Sequence, residues 1–205
     1  MSPPIRRAAP ALLLLLAAAC TEPAKPARVL DERHVITVDG TTVRYNGQLL
    51  DWNGTVKDWE KVLGPATRVV RAISVWDDLG VFLYHDDVKP TPAAFEVLLG
   101  RTRHSQATEG APDFWPREPF RGRLVVDGAL IHGRSTIREI DRQKKGAQFQ
   151  RSYLPTIYDY DLDGFYIRLD FGHDGTLTSF SISPSIFGKP AGTQGVQQPG
   201  EGKKK

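Results

Sequence analysis

The chain has 205 residues, 40% of them hydrophobic and 25% charged. That balance suits one globular domain or two small ones and excludes a fibrous or wholly disordered protein. Of its 27 basic residues, Arg6 and Arg7 lie in the first ten positions and Lys203 to Lys205 close the sequence, which leaves 22 against 24 acidic residues. The body between is therefore close to neutral, and no phosphate-binding surface or nucleic-acid partner is indicated.

The first twenty residues, MSPPIRRAAPALLLLLAAAC, carry two arginines, an apolar run and small residues directly before the single cysteine, Cys20. This is the layout of a cleaved export signal over 1–19, and its apolar run is too short for a permanent span. Ala17, Ala18 and Ala19 before Cys20 resemble the lipobox of bacterial lipoproteins, with the usual leucine one place early at Leu16. The resemblance implies that Cys20 is lipidated and becomes the first mature residue. Thr21, standing where an inner-membrane retention signal would have Asp, implies the outer membrane, facing the periplasm. Residues 20–33 then read as the lipidated cysteine and a Pro/Ala-rich tether. With Cys20 acylated, the body has no thiol for a disulfide, a nucleophile or a metal.

From residue 34 onward the same pattern occurs twice. The first copy reads ITVDGTTVRYNG, GTVKDWEKVLGP, ISVWDDLGVFLYHDD and AAFEVLL; the second reads LVVDGALIHG, STIREIDRQKKG, YDYDLDGFYIRLDF and GTLTSFSIS. Each opens with an alternating strand ending in Asp-Gly (Asp39-Gly40, Asp127-Gly128), a dipeptide suited to tight hairpin turns. Each continues with a capping-box pair, Thr55 with Asp58 and Thr136 with Glu139, that predicts a helix start. Val56, Trp59, Val62 and Leu63 share one face of the first helix, which Gly64-Pro65 ends. Ile137 and Ile140 form the apolar side of the second, stopped by Gly146. WDDLG and YDLDG then align Trp76 with Tyr160, Asp77 with Asp161 and Gly80 with Gly164, so the same turn is expected in both. Strands over Phe95–Leu99 and Leu177–Ile182 follow, the latter after a His173-Asp174-Gly175 turn.

The expected fold class is α+β: two tandem related modules, 34–100 and 123–187, each a short helix packed on an antiparallel β-sheet. A connector, 101–122, joins them, and the Gly/Pro/Gln-rich stretch 188–205 cannot bury enough surface to order itself. The stretch GTVKDWEKVLGPATR resembles the helix-opening and helix-closing motif of the beta-lactamase inhibitor protein and SmpA/BamE-like envelope lipoproteins, over about 36–99 and more faintly 124–183. That resemblance implies a helix-plus-sheet module that binds another protein, as an inhibitor, an immunity protein or an accessory to envelope assembly.

Asp159, Asp161 and Asp163 alternate ahead of Gly164, and Asp170 closes a twelve-residue run, which matches the pattern of a calcium loop. Pro155 upstream and the strand-like FYIRLDF downstream argue instead for a turn between strands, with calcium as the alternative cofactor and calcium-dependent adhesion as the alternative function. His34, His85, His104, His132 and His173 lack metal-site spacing, and no nucleophile elbow or phosphate loop occurs. His173 with Asp174 is the weak candidate for a base and its orienter, and no enzyme is expected. Aromatic residues are the remaining lead. Phe114 and Trp115 of DFWPREPF, with Trp76, Asp77 and Tyr160 at the acidic turns, are the expected partner-binding positions, against the alternative that they pack inward.

Overall fold

The computed structural model describes residues 30–101 and 113–185. The expected leader, Cys20, most of the tether, part of the connector and the C-terminal stretch lie outside them.

The first hairpin joins β1 (Val35–Asp39) to β2 (Thr42–Tyr45), and β3 (Gln48–Leu50) folds back on β2. Helix α1 (Val56–Leu63) follows, then β4 (Arg68–Val70), β5 (Ile73–Trp76), β6 (Val81–His85) and β7 (Pro92–Leu98). The second half gives β8 (Arg123–Val126), β9 (Ala129–Ile131), α2 (Ile137–Gln143), β10 (Gln150–Arg151), β11 (Ile157–Leu162), β12 (Phe165–Phe171) and β13 (Leu177–Pro184). The repeated element order is present, and both capping boxes form as the sequence predicts.

The halves are not separate modules. One sheet has five strands in the order β3-β2-β1-β8-β9, and the other has eight in the order β10-β11-β12-β13-β7-β6-β5-β4. The first is closed by parallel pairing of β1 with β8, the second by antiparallel pairing of β7 with β13. The fold is thus mainly β, with two short helices, and the expectation of a helix on its own sheet in each half is corrected. The physical reason is the apolar faces: Ile36, Val38, Leu124 and Val126 from one sheet and Phe95, Val97, Phe180 and Ile182 from the other belong to a single buried cluster. Two cores of half the size would leave more of that surface wet. Trp59 of α1 is fully buried in this cluster, edge-on to Phe95, and donates its indole N–H to the Asp51 carbonyl at 2.8 Å.

The turns differ between the halves in a way the aligned sequences conceal. Asp127-Gly128 and Asp163-Gly164 are two-residue hairpin turns with positive φ at both positions. In the first hairpin Asp39 still pairs with Thr42, so Gly40-Thr41 makes the turn and only Gly40 has positive φ. The expected equivalence of WDDLG and YDLDG also fails. Trp76 pairs with Val81, so residues 77–80 form a four-residue turn where the other hairpin has two.

Gly80 and Gly164 have the same φ of +78°, but a Cβ on Gly80 would lie 2.2 Å from the backbone nitrogen of Phe120, whereas a Cβ on Gly164 would meet nothing. Gly80→Ala is therefore expected to destabilise by about 3 kcal/mol or more, and Gly164→Ala by about 1 kcal/mol, in urea unfolding. Equal costs would contradict this account of the segment that packs over Gly80.

Candidate binding surface on the large sheet

The eight-stranded sheet has an inner face in the core and an outer face read from strand register. Glu96 on β7 lies between Phe82 on β6 and Ser181 on β13, and Ser181 lies beside Arg168 on β12, which pairs in turn with Asp159 on β11. These five form one row across the outer face. Strand pleating puts Tyr84, Tyr166 and Asp170 on the same side.

Part of this face is covered by the connector. Phe114 and Trp115 stack on each other and lie over Phe82, with ring centroids 6.2 and 5.4 Å from it. Asp77 holds the segment there. Its carboxylate, 1% exposed, takes Arg68 Nε at 3.0 Å and Nη2 at 3.1 Å, and accepts the Arg117 backbone N–H at 3.0 Å. Arg68 also donates to the Trp115 carbonyl at 2.7 Å. Burial pushes the Asp77 carboxyl up, but the hydrogen bonds from Arg68 and Arg117 and their charges outweigh it and hold it below its ordinary value.

Several expected site residues therefore belong to the interior. Trp76 is 4% exposed and donates to the Gly64 carbonyl at 2.8 Å. Tyr160 is buried against Phe149, donates to Asp127 at 3.1 Å, and has the Lys144 ammonium 4.3 Å from its ring centre. Trp76, Asp77 and Tyr160 are out of a partner's reach, because both aromatic rings fill the core and the carboxylate is spent on the connector. Phe114 and Trp115 are partly exposed but packed on the sheet.

The aspartates of the calcium-like run lie along an extended hairpin. Asp159 accepts the Tyr166 hydroxyl at 2.6 Å, and Asp170 pairs with Arg168 and accepts Ser179 Oγ at 3.3 Å. Asp161 is exposed, and Asp163 stands in the turn with φ +48°. Asp159 and Asp170 thus spend their oxygens on neighbours in the sheet, and Asp163 stands apart in the turn. Among the described residues no group of three His, Cys, Asp or Glu side chains could hold a metal ion. Asp174 spends Oδ1 on the Thr176 N–H, in the turn that contains His173.

What the outer face does assemble is a basin of about 330 Å³, lined by Tyr84, Ala94, Glu96, Tyr166, Arg168 and Ser183 among others. Short side chains, Ala94, Ser181 and Ser183, form its floor, and tyrosines flank it. Arg168 is tied to Asp170, while its Nε is buried without a partner. Among the described residues nothing donates a hydrogen bond to the Glu96 carboxyl. Burial, and secondarily the charge of Asp170, raise Glu96 to about 7, against the smaller opposing pull of Arg168. A cavity of about 420 Å³ beside the start of α2 is larger, but His173 is its one titratable side chain besides Tyr158. The basin residues had one faint sequence signal: Glu96 and Arg168 are lone charges within the apolar alternations AAFEVLL and FYIRL.

A family described as a domain of unknown function (DUF7738) matches residues 35–141. Comparison with curated proteins and with solved structures finds no match. The matched stretch holds Tyr84 and Glu96; Tyr166, Arg168 and Asp170 lie beyond it.

Asp77→Ala leaves the Arg68 charge without its partner, and a loss of about 3–5 kcal/mol is expected, with a red shift of tryptophan emission as Trp115 is released. For Glu96 the folded state keeps its proton up to about 7, against an ordinary 4.5. Its contribution is thus fully present below 4.5 and is lost as pH rises to 7, because the unfolded chain gives up the proton first. Glu96→Gln should flatten this fall and stabilise by about 2 kcal/mol at pH 8, read from melts of both proteins between pH 4.5 and 8.

Proposed function

The chain belongs to the DUF7738 family, and we propose that it is a lipid-anchored bacterial envelope protein that acts by binding another protein, with the uncovered half of the large sheet's outer face as its recognition surface. The observation that carries this reading is the basin: a polar hollow flanked by tyrosines, with the partly buried Glu96 carboxyl in it and one buried guanidinium nitrogen, Arg168 Nε, left without a partner. Buried polar groups without partners are costly, and a bound partner that meets them removes the cost. The leader and Cys20 support an anchor, the Pro/Ala-rich tether supports a domain held clear of it, and the near-neutral body supports a protein partner over nucleic acid. A helix–sheet module that binds proteins, as in the envelope lipoproteins and inhibitor proteins that the α1 stretch resembles, fits the same reading.

The fixed Asp77 clamp also supports it. By tying residues 113–118 over β6, the clamp sets Phe114 against Tyr84, a residue of the basin, with ring centroids 6.4 Å apart, and a preformed surface loses less entropy on binding than a mobile one.

Two measurements test this reading. Cys20→Ser should move the protein from the membrane pellet to the soluble fraction; an unchanged distribution would remove the anchor. A photo-crosslinking amino acid at Ala94 should give a discrete adduct with one envelope protein in intact cells, and the same group at Leu49, exposed on the other sheet, should not. No adduct from Ala94, or the same adducts from both sites, would overturn the recognition surface.

A further inference from the structure

The basin has a sign of charge. Glu96, Asp159, Asp161 and Asp170 face outward on β7, β11 and β12, and Arg168 is the single cation among them by register. Three of these charges are already engaged: Asp170 holds Arg168 and receives Ser179, and Asp159 receives the Tyr166 hydroxyl. Asp161 is exposed to water at the hairpin's outer edge. Glu96 is left, mostly buried in the floor of the hollow, with no donor to its oxygens among the described residues.

The groups around Glu96 narrow what can meet it. On β6 its neighbours are Phe82 and Tyr84, on β13 Ser181 and Ser183, and on β12 Tyr166, Arg168 and Asp170. Arg168 lines the basin too and pulls weakly on Glu96, but its terminal nitrogen is committed to Asp170. An anion would meet the surplus carboxylates without a free guanidinium, and a neutral apolar group would leave Glu96 dry and unpaired. A compact cation with several N–H donors answers the acceptors among these groups, the Glu96 carboxylate and the serine hydroxyls, while Arg168 Nε, itself a donor, is not met by it. It can pair with Glu96, donate to Ser181 or Ser183, and lie against the faces of Tyr84 and Tyr166, an arrangement that favours ammonium ions when water is excluded.

We propose that the basin is a site for a primary alkylammonium group, with Glu96 as its counter-ion and Tyr84 and Tyr166 as its walls. The inference rests on the outer face being the recognition surface, and it deepens that reading by giving the chemistry of what enters. A lysine side chain of a bound protein and a free alkylamine share this chemistry. No covalent step is involved; the only chemical change is loss of the Glu96 proton when the cation arrives.

That proton makes the test specific. Glu96 holds its proton to about 7 in the empty basin, and an ammonium ion can pair only with the carboxylate. Binding at pH 6 should therefore release a proton, and affinity should rise about tenfold from pH 6 to pH 8 as the carboxylate becomes the major form. The full chain in detergent is titrated with cadaverine and, separately, with N-acetyl-lysine methylamide, by calorimetry in two buffers of different ionisation enthalpy. Proton release at pH 6 that disappears at pH 8, and a loss of at least about tenfold in affinity in Glu96→Gln at pH 8, are the expected results. Tighter binding of the lysine amide assigns the site to a partner's side chain, and tighter binding of cadaverine assigns it to a free amine.

Ser181→Leu, which fills the floor beside Glu96 and leaves the carboxyl itself in place, should abolish binding of both probes, and its melting curve checks that it folds. Absence of binding at millimolar concentration, binding unchanged in Glu96→Gln, or affinity independent of pH would each overturn the proposal. The crosslinking result from Ala94 is independent of these titrations. An adduct without amine binding removes this inference and keeps the recognition surface, and amine binding without an adduct does the reverse.

Discussion

The pairing of β7 with β13 is the constraint on which the rest of the molecule depends. Four residue pairs, from Ser179 opposite Leu98 to Ile182 opposite Phe95, join the last strand of one half to the last strand of the other. The two four-stranded sets thereby become one sheet of eight. A single pairing also decides both faces, since strand residues alternate. Phe95, Val97, Phe180 and Ile182 turn inward to the common core, and Glu96 and Ser181 must then turn outward together. Slipping this register by one residue would set Phe180 opposite Glu96 on one face, burying the carboxyl or exposing the ring. The outer face and the core thus share one determinant.

The outer face is finished by electrostatics. A sheet with one wet face usually carries polar residues there, yet β5 and β6 present Val75 and Phe82, both with no exposure at all. They are dry because the connector lies over them, and the connector stays because Asp77 and Arg68 pair in a largely water-excluded place. Removing either charge would strand the other, so the clamp and the cover stand or fall together. Lys144, fully buried and 2.7 Å from Asp127, makes a comparable tie in the second half, joining the end of α2 to the β8–β9 turn. These two ion pairs occupy different roles: one holds a cover in place outside the sheet, the other closes the edge of the core.

Local features were legible in the sequence wherever a short stretch determines its own geometry. The two capping boxes, the Asp127-Gly128 turn, Trp59 in the core and the repeated order of strands and helix all follow from neighbours within a few residues. What could not be read was which strand lies beside which. The parallel contact of β1 with β8 and the contact of β7 with β13 join residues more than eighty positions apart, and nothing in the alternation of either strand specifies its partner. Two independent modules satisfy the same local patterns, and only the size of the shared core decides against them. For the same reason Glu96 and Arg168 were invisible as a pair: each is a lone charge on its own strand, and they become neighbours only through Ser181. Asn46-Gly47 is a local signal of the other kind, present in the sequence and sufficient to place β3.

The aspartates of the β11–β12 hairpin now have a physical explanation that needs no metal. Val75 and Asp159 hold corresponding places in the repeat, and both face outward. Val75 is fully buried beside Phe82, its cross-strand partner, which Phe114 and Trp115 cover, so an apolar side chain suits that place. Asp159 is partly exposed, and its carboxylate can reach water while it accepts the Tyr166 hydroxyl. Asp163 differs from Leu79 for a separate reason, since it stands at positive φ in a two-residue turn, where aspartate is tolerated far better than a branched side chain. The acidic excess of the second copy therefore marks where the cover stops. The half of the sheet that carries carboxylates on its outer face, Asp159, Asp161 and Asp170, is the half that the connector does not cover.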